Sequence, residues 1–557
     1  MTSPIEVLRP APLDPSAEQT MVPMRDGVRL ATDVYLPDGH GRVPAVLVRL
    51  PYDKCGRYTF MPQCAPFFTE RGYAFVVQDV RGKFRSEGET MPFTHEVEDG
   101  YDTLDWVATQ SWCDGLVGMF GDSYYGYTQW AAVASGHPAL KAIVPRVTSA
   151  DLRVLTEWWG DSIVPLYGAD YLTHYWTDPL IYFFAADYAR RPLAEAFDEG
   201  LTAIGARSAA FDRMLRVDGP GGFASYPSGH PFDRLKVPVL HSVGWFDNIL
   251  PYSMVDYMDL RAHPGVADLQ YLNADSTDHE NYHLREVPVA PEDDHDTNAA
   301  ALARMLPVYL GPGLEFYDVF LKGRGDAASI PAAEWFLGND QWRTSTTWPP
   351  PGARELRLYL GAGARAGDGT DGGVLAPAPD AALDTARWVH DPDDLVPSTP
   401  ENPFAFLLSW PDEREVQGRD DVLIFTSSPL DEPLDLAGSV TARLAVGSSA
   451  ASMHVYVKLC DVYPDGSARM LLRGERLVRD PDTCVPVEIS LSHTGHRVLP
   501  GHRLRLAIAS SDFPLYLPHP GTDENPWYAT KGERNQQTLA TGGSTPSCLS
   551  LTVLDEA

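Results

Sequence analysis

An apolar run, a turn that contains a serine and a helix-forming segment follow one another early in the chain, and this succession constrains the fold most. Residues 116–120 are typical of a buried strand and residues 127–134 of a helix. Between them, Gly121 and Ser123 form the Gly-x-Ser of a nucleophile elbow. This tight turn needs a small residue beside the serine and lifts its hydroxyl above the edge of a sheet. The usual elbow has a second glycine where this chain has Tyr125.

Short apolar runs on both sides of the elbow predict an α/β fold. Strands that alternate with helices indicate a parallel sheet covered by helices on both faces. Residues 99–109 have helical periodicity, and residues 21–37 alternate around a turn that is typical of a β-hairpin. The runs that we interpret as buried strands, bounded by Gly or Pro, are residues 43–50, 73–80, 237–240 and 269–272.

Changes in composition divide the chain into segments. Its 557 residues are too many for a single core. We predict an α/β domain in two parts, residues 1–147 and 236–345, interrupted at residues 148–235 by a helical insertion rich in aromatic residues. This insertion would form a lid over the sheet, and most of its aromatic side chains are expected to form the core of the lid. Residues 346–557 contain many short strands and turn residues, which predicts an all-β domain of the jelly-roll type.

The charge of the chain excludes some functions. With 76 acidic and 44 basic residues the net charge is −32, which argues against binding to nucleic acid or anionic membranes. No apolar run approaches the roughly 20 residues of a membrane helix. Residues 1–19 lack the pattern of a secretory signal and are expected to be a flexible lead-in. The six cysteines lack the spacing of zinc or disulfide sites, so we expect a cytoplasmic protein with free thiols and no cofactor.

Later residues supply the partners that a nucleophilic serine needs. A serine hydroxyl must lose its proton to a histidine that a carboxylate orients, and in sheets of this kind the chain order is serine, acid, histidine. Asp247 and His279 each follow a predicted strand, so both lie at the same edge of the sheet as the elbow. We therefore predict the triad Ser123, Asp247 and His279. The sequence alone leaves Asp275, Asp278 and His283 as alternatives.

The negatively charged intermediate of such a reaction needs hydrogen-bond donors that are already in place. The backbone N–H of Tyr124 is the first candidate donor. The second is the hydroxyl of Tyr52, in the loop after residues 43–50, with a backbone N–H as the usual alternative. Asp122 is unusual beside a nucleophile because its charge would oppose the oxyanion. We expect its carboxylate to point toward a donor instead.

A rival interpretation is a zinc site. His279, Glu280 and His283 match the H-E-x-x-H signature of zinc metallopeptidases. That signature requires a helix and a third ligand, whereas the flanking residues here are typical of turns. We therefore expect no metal, with a zinc metallopeptidase as the least favoured enzyme.

Taken together, these motifs resemble the cocaine esterase and X-Pro dipeptidyl-peptidase family of α/β-hydrolases. Residues 121–126 are similar to its G-x-S-Y-x-G elbow, residues 51–54 to its oxyanion loop and residues 245–247 to its acid segment. His279 falls where the family has its histidine. Similar stretches at residues 79–88, 316–323 and 501–514 extend the likeness over nearly the whole chain. The resemblance implies an α/β-hydrolase domain with an inserted helical lid and a C-terminal jelly roll. It also implies the cleavage of small esters or amides through an acyl-enzyme, with a homodimer as a plausible assembly.

A departure from the family narrows the substrate. The related α-amino acid ester hydrolases place carboxylates just after the catalytic aspartate to bind a substrate ammonium, and this chain has Ile249 and Leu250 there. We therefore expect an ester with an apolar or aromatic acyl group, bound by Phe246, Ile249, Leu250, Trp158 and Trp159. The alternatives are an amide hydrolase (an acylase or X-Pro-type dipeptidyl peptidase) and a non-catalytic sugar binder that uses the jelly roll.

Overall fold

The computed structural model describes residues 5–39, 41–156, 161–216, 223, 225–280, 290, 292–369, 372–400, 402–481 and 484–555. In chain order, strands β1 to β12 are Glu6–Leu8, Glu18–Pro23, Arg29–Tyr35, Val43–Leu50, Ala74–Asp79, Cys113–Asp122, Leu140–Arg146, Ile181–Phe183, Val239–Gly244, Gln270–Asp275, Ala333–Phe336 and Trp342–Ser345. Helices α1 to α8 are Met61–Thr69, Glu96–Thr109, Ser123–Ser135, Leu166–Tyr175, Asp198–Ile204, Ala209–Arg216, Leu250–Ala262 and Ala299–Phe320.

The first large sheet has ten strands in the order β12-β11-β10-β9-β7-β6-β4-β5-β3-β2. Its central strands, from β11 to β5, pair in parallel, and the strands at both edges pair antiparallel. The predicted hairpin is confirmed, because Glu18–Pro23 pairs antiparallel with Arg29–Tyr35. The elbow strand β6 lies between β4 and β7 in the middle of this sheet.

Side-chain alternation along β4 explains why this sheet is buried on both faces. Val46 and Val48 join a core that includes residues of helices α1 and α8, whereas Ala45 and Leu47 join a second core on the other face with residues of α2 and α3. Successive side chains of a strand point to opposite faces, so an unbroken apolar run fits a strand that is covered on both. A mostly parallel sheet with helices packed on both faces is the arrangement of an α/β-hydrolase domain.

The sequence predicts a flexible lead-in at residues 1–19, and this prediction is wrong for Glu6–Leu8, which forms a strand. This strand pairs antiparallel with Ile181–Phe183, beside helix α4 of the predicted lid. The apolar side chains of Ile5, Val7 and Leu8 pack against the core of the first sheet. The partner strand lies more than 170 residues away in the chain, so no local pattern could predict the pairing.

The C-terminal part of the chain is all-β, as predicted. Strands β13 to β23 are Arg354–Gly361, Gly373–Ala376, Asp384–His390, Leu423–Thr426, Leu434–Ser448, Ser452–Val462, Ala468–Arg479, Val485–Val498, Arg503–Ala509, Asn535–Thr541 and Cys548–Leu554, with a one-turn helix α9 at Arg414–Gln417. They form one eleven-stranded sheet by hydrogen bonding. The exact boundaries of the predicted domains remain a prediction.

In this part the sequence predicts strands at residues 355–360, 422–426, 438–446, 453–462, 485–491, 503–510 and 547–554, so β14, β15, β19 and β22 are additional. In β19 the reason is charge. Arg473 and Arg476 interrupt its apolar alternation but form ion pairs with Asp512 and Asp161, residues that lie far away in the chain. Residues distant in the chain thus pair with these arginines, while the apolar side chains of Met470, Leu471, Leu472 and Val478 are buried in the core of the β domain.

No helix in the described ranges combines the length and the apolar character needed to cross a bilayer.

Candidate active site

Ser123 lies at a strained turn between strand β6 and helix α3. Its φ of +50° is in the left-handed region, which costs energy for any residue with a Cβ. Gly121 is required two residues earlier, because a Cβ there would lie 2.1 Å from the ring of Tyr125. The helix begins at Ser123 itself, four residues before the predicted start. The structure therefore contains the strand, elbow and helix that the sequence predicts.

His279 and Asp247 meet at the carboxyl edge of the sheet. Nδ1 of His279 lies 2.8 Å from Oδ1 of Asp247, and the aspartate side chain is fully buried. An N–H on Nδ1 would donate to the carboxylate and leave Nε2 free to accept a proton from a serine. Burial by itself would lower the pKa of His279, but the charge and hydrogen bond of Asp247, with help from Glu280 and Asp122, raise it. The ring is therefore a stronger base than an isolated buried histidine.

The alternative acids lie elsewhere. Asp278 accepts hydrogen bonds from the backbone N–H groups of Glu280 and of the distant Leu407, and Asp275 accepts from the Ser276 N–H. His283 lies outside the described residues. Of the carboxylates that the sequence left open, Asp247 is the one in contact with His279.

The hydroxyl of Tyr52 marks the predicted oxyanion position. The Tyr171 hydroxyl is 3.4 Å away, and the Ser123 side chain and the Tyr124 backbone N–H lie near enough to lower the pKa of Tyr52, against the larger effect of burial. Burial raises the pKa of Tyr52, so its O–H stays protonated and can donate. The two predicted donors, the Tyr52 hydroxyl and the Tyr124 N–H, therefore lie near Ser123, and their role toward an oxyanion stays a prediction.

The side chain of Tyr124 is itself held by hydrogen bonds. Its hydroxyl donates to Oε1 of Glu96 at 2.9 Å and accepts from the backbone N–H of Phe93 at 2.7 Å. Glu96 in turn pairs with the buried Arg49 at 2.8 Å. This network fixes the residue whose N–H we predict to bind the oxyanion.

Replacing Tyr52 by phenylalanine is expected to lower kcat by roughly 10²–10³-fold, because one preorganised donor is lost while the ring is kept. The measurement is steady-state hydrolysis of an activated ester. Tyr171→Phe is the control, since it removes the neighbouring hydroxyl and should cost far less. An unchanged kcat for Tyr52→Phe would assign the second donor to a backbone N–H.

A cavity of about 680 Å³ lies over these groups, with Ser123, His279 and Tyr52 in its wall. Much of the remaining wall comes from the segment predicted as a lid. Further aromatic side chains are Tyr58, Phe60, Tyr125 and Phe404, the last with its ring centroid 5.1 Å from that of His279. The lid aromatics that line it are Tyr167, Tyr171, Tyr175, Phe183, Phe184 and Tyr188. The cavity therefore suits an apolar or aromatic group next to the nucleophile.

The same wall carries four carboxyl groups, Asp122, Asp170, Glu280 and Asp296. Burial raises the pKa of Glu280 to about 7 and that of Asp170 to about 7. Tyrosine hydroxyls donate to both: Tyr58 to Glu280 at 3.3 Å and Tyr188 to Asp170 at 2.9 Å. Among the described residues of the wall, none is a lysine or arginine. The cavity is therefore unfavourable for anions.

The predicted substrate residues lie mostly elsewhere. Phe246 packs against Phe406 and Trp410 in the core shared with the β-sheet domain, at ring centroid distances of 6.3 and 5.5 Å. Ile249 and Leu250 are buried at the start of helix α7, and none of the three lines the cavity over Ser123. Trp158 and Trp159 lie outside the described residues. The many tyrosines after residue 166 were the sequence signal for the wall of the cavity over Ser123. No sequence signal pointed to Phe404.

The zinc interpretation finds no support in the part of the chain that the structure describes. There, no group of three His, Cys, Asp or Glu side chains is placed to hold a metal ion. Nδ1 of His279 already contacts Asp247, and His283 is not among the described residues.

Comparisons with known proteins show which family the chain belongs to. Residues 26–280 match the model of the X-Pro dipeptidyl-peptidase (S15) family, and residues 326–550 match that of the X-Pro dipeptidyl-peptidase C-terminal non-catalytic domain. The chain is 35% identical to the cocaine esterase of Rhodococcus sp. (strain MB1 Bresler), over 90% of this chain and 91% of the relative. It is 25% identical to a putative serine esterase of Mycobacterium tuberculosis over the same shares of the two chains.

Two solved structures have the same fold as this chain over nearly its whole length. An α-amino acid ester hydrolase superposes with a TM-score of 0.77 and 26% identity, covering 98% of both chains. An aminopeptidase from a marine sediment Thaumarchaeota archaeon superposes with a TM-score of 0.76 and 25% identity, covering 97% of this chain and 96% of the other.

Proposed function

We propose that this chain, which belongs to the cocaine esterase and X-Pro dipeptidyl-peptidase family of α/β-hydrolases and is an enzyme of the serine hydrolase type, cleaves carboxylic esters with an apolar or aromatic acyl group. One observation carries the proposal. The strained Ser123, the His279 that pairs with Asp247, and the Tyr52 hydroxyl all face the same aromatic cavity. The cavity is large enough for a drug-sized ester.

In the proposed reaction, Oγ of Ser123 attacks the ester carbonyl while Nε2 of His279 takes its proton. Asp247 stabilises the imidazolium that forms. The Tyr52 hydroxyl and the Tyr124 N–H donate to the oxyanion of the tetrahedral intermediate. When the intermediate collapses, His279 gives the proton to the leaving alcohol, and an acyl-Ser123 ester remains. Water then attacks this ester with His279 as the base, which releases the acid and restores the enzyme.

An amide hydrolase of the acylase or X-Pro dipeptidyl-peptidase type is the alternative, and the match to the X-Pro dipeptidyl-peptidase model favours it. An amide demands more of the site, because the amine leaves only once it has been protonated. The aromatic wall accepts the same acyl groups in either case, so only a pair of substrates with one acyl group separates the two functions.

A matched panel of four compounds tests the proposal: p-nitrophenyl phenylacetate, phenylacetyl p-nitroanilide, p-nitrophenyl valerate and the p-nitrophenyl monoester of succinic acid. We expect kcat/KM for the ester of phenylacetate to exceed that for the anilide by at least about 100-fold, or about 2.7 kcal/mol of activation free energy. The succinate ester should react about 10-fold more slowly than the valerate ester, because its carboxylate meets four wall carboxyls. Faster cleavage of the anilide would favour the amide hydrolase, and faster cleavage of the succinate ester would contradict the inferred charge preference.

A further inference from the structure

We propose that Asp122 is a positioning residue that acts through His279: its carboxylate charge stabilises the protonated form of that histidine, while Arg146 and Tyr309 hold the carboxylate away from the oxyanion. This inference rests on the proposed function, in which His279 carries the proton of Ser123. It gives a role to the one charged residue that adjoins the nucleophile in the chain.

The position of Asp122 shows that its side chain is not used as a helix cap. It is the last residue of strand β6 and the N-cap residue of helix α3, where aspartate normally accepts a hydrogen bond from the first turn. Its side chain makes no such bond. Instead the residue is 5% exposed and lines the same cavity as Ser123 and His279. Its carboxylate is therefore held by other partners.

Those partners come from two neighbouring elements. The Tyr309 hydroxyl, on helix α8, donates to Oδ1 of Asp122 at 3.0 Å, and Nε of Arg146, on strand β7, lies 3.3 Å from the same oxygen. The Arg146 guanidinium stacks over the Tyr309 ring at 4.6 Å and donates to the Ser242 hydroxyl at 2.8 Å. The contacts with Tyr309 and with an arginine that is itself anchored fix the direction of the Asp122 carboxylate.

The order of the strands separates this ion pair from the oxyanion. Strand β6 lies between β4 and β7. Arg146 is the register partner of Asp122 on β7, whereas Tyr52 belongs to the loop that follows β4, on the opposite side. The carboxylate is thus drawn toward β7, whereas Tyr52, one of the two predicted oxyanion donors, comes from the β4 side. This arrangement reduces the repulsion that a carboxylate beside the nucleophile would otherwise impose.

Asp122 and His279 nevertheless lie in the wall of the same cavity, so the carboxylate charge acts on the histidine. Asp122 is one of the charges that raise the pKa of His279, after Asp247 and Glu280, against the opposing effect of burial. Among the residues that the structure describes, Asp278 in the same loop and the uncharged ring of Phe404 also lie close to the histidine. Since the imidazolium exists in the transition state, an opposite charge nearby lowers the energy of that state.

Other titratable groups lie near Asp122, and its charge acts on them as well. Besides Arg146 and Tyr309, it influences Cys64 of helix α1, Tyr125 of helix α3 and Glu280, and its charge raises the pKa of each. Burial is the larger cause for all three. Burial raises the pKa of Glu280 to about 7, so its titration would overlap with that of His279. A test of His279 therefore needs variants in which Glu280 is replaced by glutamine.

The test is the pH dependence of two reactions, inactivation by a fluorophosphonate probe and hydrolysis of p-nitrophenyl phenylacetate. Both are measured with Asp122→Asn and Asp122→Ser, each also in a Glu280→Gln background. We expect the acid limb, which reports protonation of His279, to move to lower pH by about 0.3–1 unit in each Asp122 variant. Asp122→Ser keeps a favourable N-cap residue, so the test does not depend on one variant folding.

Asp114→Asn is the matched control, because it makes the same chemical change at the other end of strand β6, where Asp114 accepts from the Leu116 N–H. Its acid limb should coincide with that of the unmodified enzyme. An unmoved acid limb in folded Asp122→Asn and Asp122→Ser would overturn the role of Asp122. A different outcome, no labelling of Ser123 in the unmodified enzyme, would instead overturn the proposed function.

Discussion

Replacing Ser123 by alanine is expected to lower kcat by about 10⁶-fold, to the residual rate that binding and oxyanion donors alone supply. The reason is that no other group in the proposed mechanism can form the acyl-enzyme. Alanine keeps the Cβ of serine, so the strain of the left-handed φ at this residue is unchanged and the fold should keep its stability. The measurement is kcat for p-nitrophenyl phenylacetate beside covalent labelling by a fluorophosphonate.

Mass mapping of the labelled peptide makes this result specific. The adduct should lie on Ser123 and vanish in the alanine variant. Ser135→Ala is the control, because Ser135 ends the same helix, where its hydroxyl donates to the backbone oxygen of Ala132 and accepts from the His137 N–H, away from the proposed chemistry. Its kcat and labelling should match those of the unmodified enzyme. An adduct on another serine would refute Ser123 as the nucleophile.

Replacing Asp247 by asparagine is expected to lower kcat by about 10⁴-fold. Asparagine has nearly the same shape, but its amide can donate to Nδ1 of His279, which favours the wrong tautomer and removes the charge that stabilises the imidazolium. The contact that changes is the 2.8 Å bond between Oδ1 and Nδ1, in a site where the aspartate side chain has no exposure to solvent. The expected signature is a large loss of kcat with a small change of KM.

Asp275→Asn is the informative partner of this experiment, because the sequence alone left Asp275 as an alternative acid. Its carboxylate accepts from the Ser276 N–H, and we expect its removal to change kcat by only a few fold. A large loss in Asp275→Asn together with a small loss in Asp247→Asn would exchange the two assignments.

Local chemistry explains how much of the site the sequence predicted. The elbow is a turn whose needs are met by its own residues, above all Gly121, and the apolar strand before it marks the edge of the sheet. Parallel strands end at the same edge, so residues that follow strands β9 and β10 had to lie near Ser123. The candidates for acid and histidine came from that topology.

Longer-range packing explains what the sequence did not predict. Phe246 adjoins Asp247 in the chain, yet its ring turns into the core against Phe406 and Trp410, while Phe404 reaches the cavity from more than 120 residues after His279. Adjacent residues of a loop point in different directions, and which of them faces a ligand depends on the domain that packs against it.

The sequence by itself determined the nucleophile elbow, the order of serine, acid and histidine, the alternation of strands and helices, and the all-β C-terminal part. These depend on turns, periodicity and chain order, which are properties of neighbouring residues. The tertiary structure alone decided that Asp247 rather than Asp275 or Asp278 meets His279, that Tyr52 lies near Ser123, and that Arg146 and Tyr309 hold Asp122. Each of these is a contact between residues far apart in the chain, and only the packing of the strands and helices that carry them brings the partners within bonding distance.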